Sequence, residues 1–244
     1  MTLSSLPRLR NRSEPLETSQ GDHICLIYEE EPAECTDLLF PFMRQGLLQG
    51  ERCVYVAAEE TLQAVGQRLE VLGLDLERET ERQALLLWTP EQWRHPEDTA
   101  SIRRVGHIWS YVQDALEAGF VGVRFVVDKS WYEDPDIDTA RIREWEATID
   151  AVFTPDIPAR LVCQYGRHRL SPSMLEAGLS THPVVLLDDE AWPNPYYDAP
   201  LLLQSESALY LPNVASSRTD WMLDRLRLLH DFKPQFPGWQ SLNG

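Results

Sequence analysis

The stretch from Gly21 to Glu60 constrains this chain most. It runs HICLIY (His23–Tyr28), EEEP (Glu29–Pro32), a helical pattern to Gly50, then CVYVAAEE (Cys53–Glu60). That is strand, tight turn, amphipathic helix and second strand, one βαβ unit. In α/β proteins the turn after the first strand is where a ligand's phosphates sit, on the helix N-terminus. Here it carries Glu29, Glu30, Glu31 and Pro32, with neither a glycine nest nor a lysine. A phosphate there would meet negative charge. The unit has the layout of a nucleotide-binding one and chemistry that refuses a nucleotide.

The rest of the chain repeats the alternation. Between Glu34 and Gly50, Cys35, Leu38, Leu39, Phe42, Met43 and Leu47 keep the three-and-four spacing of a buried helical stripe, and Gly50 suits the C′ position. Helix is expected over Thr61–Leu72 and strand over Ala84–Trp88. Residues 89–97 read as a loop, with Asp98 capping a long helix to Gly119. Gly122–Asp128 is the clearest strand and ends in a carboxylate. Asp138–Phe153 reads as helix and Arg160–Tyr165 as strand. A helix starts at Ser171-Pro172 and ends near Gly178, and Pro183–Leu187 is a strand. Strand and helix in alternation with short connections predict an α/β fold with a mostly parallel central sheet covered on both faces. AWPNPYYDAP (191–200) reads as loop, 201–211 as an edge hairpin, and Ser217 opens a final helix through Phe232. The expected layout is a polar tail over 1–20, a core domain over 21–205 and a C-terminal extension over 206–244.

Charge removes several functions. Lys and Arg number 22 against 39 Asp and Glu, a net charge of −17. That field repels a polyphosphate backbone and anionic lipid alike, so neither direct nucleic-acid binding nor membrane docking is expected. No apolar run approaches the length of a membrane span. Cys25, Cys35, Cys53 and Cys163 show no CxxC spacing and read as buried, reduced thiols in a cytoplasmic protein.

HICLIY, GLLQGERCVYVA (46–57), GVRFVVDKSW (122–131), the WE of EWEA (144–147), CQY (163–165) and THP (181–183) follow one another in the order of the MEDS family, which this chain resembles over Gly21–Leu187. These are prokaryotic sensory domains named for methanogens, methylotrophs and a dichloromethane-responsive repressor. The resemblance implies a RecA/KaiC-like three-layer fold without a working P-loop, sensing of small molecules such as hydrocarbon derivatives, and output through a signalling or transcription-regulating protein. Asp128 resembles the magnesium-orienting acid that ends a Walker B strand, here with no P-loop partners. Where members carry an acid after CxY, this chain has Gly166, with His168 close by as a replacement.

Ligands of parallel sheets bind beyond the carboxyl ends of the strands. Those ends offer Tyr28, Glu29, Asp128, Trp131, Tyr132, Tyr165 and His168, aromatics around a few polar groups that suit a small, partly apolar ligand. The plainer reading is that they pack loops onto the sheet. His23 and His182 precede strands and fall near the opposite edge. A structural role is the simpler reading, and a metal or ligand site built with Cys25 and Cys163 is the sharper one. Trp145 and Glu146 stand as pocket or interface candidates through the family motif, with Arg143 able to pair with Glu146 at three-residue spacing. No catalytic triad, GxSxG or HExxH motif is present.

These observations converge on a non-enzymatic sensor that needs no metal or cofactor, acts through a partner protein, and has its last helix available for homodimerisation. The competing expectations are a divergent nucleotide-binding ATPase and a protein-interaction pseudo-ATPase.

Overall fold

The computed structural model describes residues 16, 18–29, 36–93, 101–130, 138–187 and 190–198. All of them fall in the first of two units into which the chain divides, Met1–Pro200. The expected terminal hairpin and helix, Cys35, the Asp98 cap, Trp131, Tyr132 and, in the turn after the first strand, Glu30, Glu31 and Pro32 lie outside the described residues.

The elements alternate as the pattern requires: β1 (His23–Tyr28), α1 (Thr36–Leu48), β2 (Arg52–Val56), α2 (Glu59–Val71), α3 (Leu76–Glu81), β3 (Leu85–Trp88), α4 (Pro90–Trp93), α5 (Ser101–Glu117), β4 (Val123–Asp128), α6 (Thr139–Val152), β5 (Ala159–Gly166), α7 (Pro172–Thr181), β6 (Val184–Leu187) and β7 (Glu190–Pro193). The seven strands form one sheet in the order β3-β2-β4-β5-β1-β6-β7. Pairing is parallel except between β6 and β7. Several local readings change: α3 lies where no helix is expected, and α7 runs past Gly178 to Thr181. The segment read as loop after Asp189 supplies the antiparallel edge strand β7, an edge being where a strand tolerates proline. The loop at 89–97 begins with a helical turn whose Trp93 is buried and stacks on Tyr111 at 5.8 Å.

Burial on both faces explains the near-continuous apolar strands. All six residues of β4 are buried, as a central parallel strand demands. Side-chain alternation then sorts the core into two layers. One face carries Cys25, Phe125, Val127, Cys163 and Tyr165 against α5, α6 and α7. The other carries Leu26, Tyr28, Val126 and Val162 against α1 and α2.

Alternation also puts Arg124 into that second layer, 2 % exposed. Its guanidinium donates to Glu51 (Nε–Oε2 2.5 Å) and to the Phe42 carbonyl (2.7 Å) and lies 4.7 Å from the Phe42 ring. Glu51 also takes Arg160. Gly46 leaves room for the arginine, since a Cβ there would meet its Cδ at 2.7 Å. The buried charge is tolerated because every neighbour answers it.

Candidate functional site

The sheet brings its candidate residues into two separate places. At the carboxyl edge on the α1 side, Tyr28 Oη donates to Asp128 Oδ1 at 3.1 Å. Ser130 donates to the same carboxylate through its N–H (3.3 Å to Oδ1) and through its hydroxyl to Oδ2. Burial pushes Asp128 above the usual carboxylate range, and the Ser130 and Tyr28 hydrogen bonds pull part of that back. The acid that resembles a magnesium ligand in sequence is therefore held by its own protein.

Gly166 is what lets Tyr28 lie there. A Cβ at that position would meet the phenol oxygen at 2.8 Å. The acidic residue missing after CQY is thus replaced by space for an aromatic ring. Glu29, at the exposed rim, is bound by Arg167 (2.9 Å) and His168 (3.1 Å). The Arg167 hydrogen bond holds its carboxyl below the ordinary range.

Tyr165 does not join this group. The parallel register sets Tyr28 beside Gly166 and Ile27 beside Tyr165, so Tyr165 points to the opposite face. There it meets the His182 ring edge-on at 5.7 Å, and Gly178 gives it room.

On that face His23, Glu146, Cys163 and His182 converge, all buried, each offering a ligand atom within 4.8 Å of the others. Parallel β1 and β5 bring His23 to Cys163, with Sγ 3.6 Å from Nε2. The two imidazoles lie 3.8 Å apart between centroids. Helix α6 contributes Glu146, whose Oε2 is 3.8 Å from His23 Nε2 and whose Oε1 takes the Lys129 ammonium at 2.8 Å. Lys129 also lies 4.7 Å over the Trp145 ring. Glu146 therefore turns inward to the lysine and not to Arg143, which pairs instead with Asp198 at 2.8 Å. A fully buried carboxylate needs the nearest cation inside, and an exposed one three residues away cannot serve.

A hydrogen bond fixes the His182 tautomer. His182 Nδ1 lies 2.7 Å from the Gly178 carbonyl, which can only accept, so Nδ1 carries the proton. Its Nε2 is left with a lone pair and no hydrogen-bond partner among the described residues. His23 Nδ1 faces Asp150 Oδ1 at 3.2 Å, and Tyr197 donates to the other oxygen. Burial lowers both imidazoles to about 3, leaving them neutral. Burial likewise raises the Cys163 thiol and brings Asp150 up to about 7. Burial also opposes charge on Glu146, but the charge of Lys129, together with its hydrogen bond, leads the effects that outweigh it, and the carboxyl comes down to about 2.

The expected set of His23, Cys25, Cys163 and His182 is thus brought together in part, with Glu146 in the fourth place and Cys25 beside Cys163 on the neighbouring strand. Lys129 and Asp150 were not anticipated. Their signals were present: Lys129 shares parity with Val127 in β4's continuation, and Asp150 follows Glu146 by one helical turn.

Comparison with known proteins agrees with the architecture. The family model of the MEthanogen/methylotroph, DcmR Sensory domain matches residues 22–183. Among solved structures, a KaiC-like protein from the hyperthermophilic archaeon Pyrococcus horikoshii is similar in fold, with a TM-score of 0.50 at 14% identity over 73% of this chain and 79% of that one. No curated protein matches. Among the described residues no helix is long and apolar enough to cross a membrane. The chain belongs to the MEDS family of sensory domains, built on a RecA/KaiC-like fold.

Proposed function

We propose that this chain is a non-enzymatic sensor that binds a small molecule, of the hydrocarbon-derived class, and reports to a signalling or transcription-regulating protein in the cytoplasm. The observation that carries the reading is the engagement of Asp128 by Tyr28 and Ser130. Three hydrogen bonds from its own protein compete with a magnesium-bound phosphate for this carboxylate. The ligand's place is the carboxyl edge, with Tyr28, Glu29, Asp128 and His168, and with Trp131 and Tyr132 following Asp128 in the chain. Tyr165 belongs to the other face, where it supports His182. The C-terminal segment supplies the output surface, to a partner or to a second copy of the chain.

Native mass spectrometry of the full chain tests this reading. A co-purified organic molecule lost on Tyr28→Ala substitution supports it, and a co-purified nucleotide overturns it. The KaiC-like fold favours a second reading, a divergent ATPase, which requires nucleotide binding that the first forbids.

A further inference from the structure

We propose that His23, Glu146, Cys163 and His182 form a four-coordinate site for a zinc-type divalent transition-metal ion. The site lies on the sheet face opposite Tyr28 and Asp128, and the inference stands whether or not a small molecule binds at the carboxyl edge.

Four features carry it. The donor set, two imidazoles with a thiol and a carboxylate, is the chemistry that such ions select. The spacings from His23 fit, and the whole set stays within 4.8 Å. A tetrahedral zinc holds ligands at about 2.0–2.3 Å and so keeps their atoms roughly 3.3–3.8 Å apart. Here Sγ of Cys163 and Oε2 of Glu146 lie 3.6 and 3.8 Å from His23 Nε2. The outer shell is built: the Gly178 carbonyl on His182 Nδ1, and Asp150 in its ionised form on His23 Nδ1, leave both Nε2 lone pairs for an ion, the arrangement that orients metal-bound histidines. The Nε2 of His182, fully buried, finds no hydrogen bond among the described residues, a cost that a metal bond removes.

Lys129 has to be reconciled with a cation beside it. It hydrogen-bonds Oε1 of Glu146 and the sulfur of Cys163, leaving Oε2 toward His23, and a metal-bound thiolate keeps a further lone pair to accept from the ammonium. The charges then balance inside the core. The two positive charges of the ion and the one on Lys129 are met by the Cys163 thiolate, which the metal itself deprotonates, by Glu146, and by Asp150, which the ion's charge brings to its ionised form. Asp150 thereby acquires a reason to be buried.

All four ligands are closed from solvent, so loading accompanies folding. The test therefore uses the full chain produced in cobalt-supplemented medium. The expected result is one cobalt per chain, a thiolate-to-cobalt band in the near ultraviolet and tetrahedral bands in the visible. Cys163→Ser should delete the near-ultraviolet band while far-ultraviolet circular dichroism stays native. A second variant, Lys129→Met, keeps every ligand. It should retain the band, melt below wild type when metal-free, and recover with zinc. A wild-type chain without cobalt bands, a thiolate band that survives Cys163→Ser, or a Lys129→Met protein indifferent to zinc would each overturn the site.

Discussion

Lys129 and Glu146 meet at 2.8 Å with both side chains closed off from water, the lysine 2 % exposed and the glutamate fully buried. The pair pins β4 to α6 across the sheet face that holds the histidines. Removing one partner strands a charge in the core. Metal-free Glu146→Gln and Lys129→Met should each lose about 3–5 kcal/mol in denaturant unfolding, while the double variant Lys129→Met/Glu146→Met should lose far less than the sum. Additive losses would mean that the two side chains do not depend on each other.

A second buried ion cluster, on the opposite face, makes an independent demand. Glu51 answers both Arg124 and Arg160, so Glu51→Gln should cost about 3–5 kcal/mol by leaving Arg124 unpaired in the core. Gly46→Ala would drive a methyl into the arginine stem and should cost about 1–3 kcal/mol through overpacking. Thermal melts of both variants check this, and wild-type stability in Gly46→Ala would show that Arg124 has room to move.

At the carboxyl edge, Gly166→Ala should push the Tyr28 ring off Asp128, because the new Cβ would meet the phenol oxygen at 2.8 Å. Tyr28→Phe removes the same hydrogen bond without the clash, at about 1 kcal/mol. Both substitutions take away a contact that lowers Asp128, so its carboxyl should titrate at higher pH than in wild type, as read by carbon-13 NMR of the labelled side chain.

Acid should unfold the metal-free protein in a defined window. His23 and His182 sit near 3 in the fold and near 6.5 when unfolded, so the unfolded chain takes up two protons as pH falls below 6.5. Asp150 works the other way. At about 7 in the fold and 3.8 unfolded, it is protonated in the native state over the same range. The net is one proton, so stability should fall by about 1.4 kcal/mol per pH unit between 6.5 and 4.5. Asp150→Asn removes the opposing term and should nearly double that slope. Urea titrations across the window measure it, and a flat profile would mean that the histidines are already charged in the fold.

Much of the fold was legible in the order of residues, because burial on both faces writes a parallel sheet as apolar runs such as VRFVVD between amphipathic helices. Strand parity also placed His23 and Cys25 on one face. What parity within one strand does not supply is register between strands. Tyr28 and Tyr165 both end strands, and only the pairing of Ile27 with Tyr165 shows that they face opposite ways. The inward turn of Glu146 was hidden for a similar reason. Arg143 is its neighbour in sequence, whereas Lys129 becomes its neighbour only when α6 packs on β4's face. The edge strand β7 escaped because prolines signal a loop unless the sheet's boundary is known.

Equilibrium dialysis of the full chain against ATP and ADP, with and without magnesium, bears most directly on what this domain is for. A domain whose acidic turn and engaged Asp128 refuse phosphates should retain no nucleotide at any concentration up to the millimolar range. Micromolar binding, or any turnover of ATP that Asp128→Asn abolishes, would contradict the sensory reading and make the chain an ATPase.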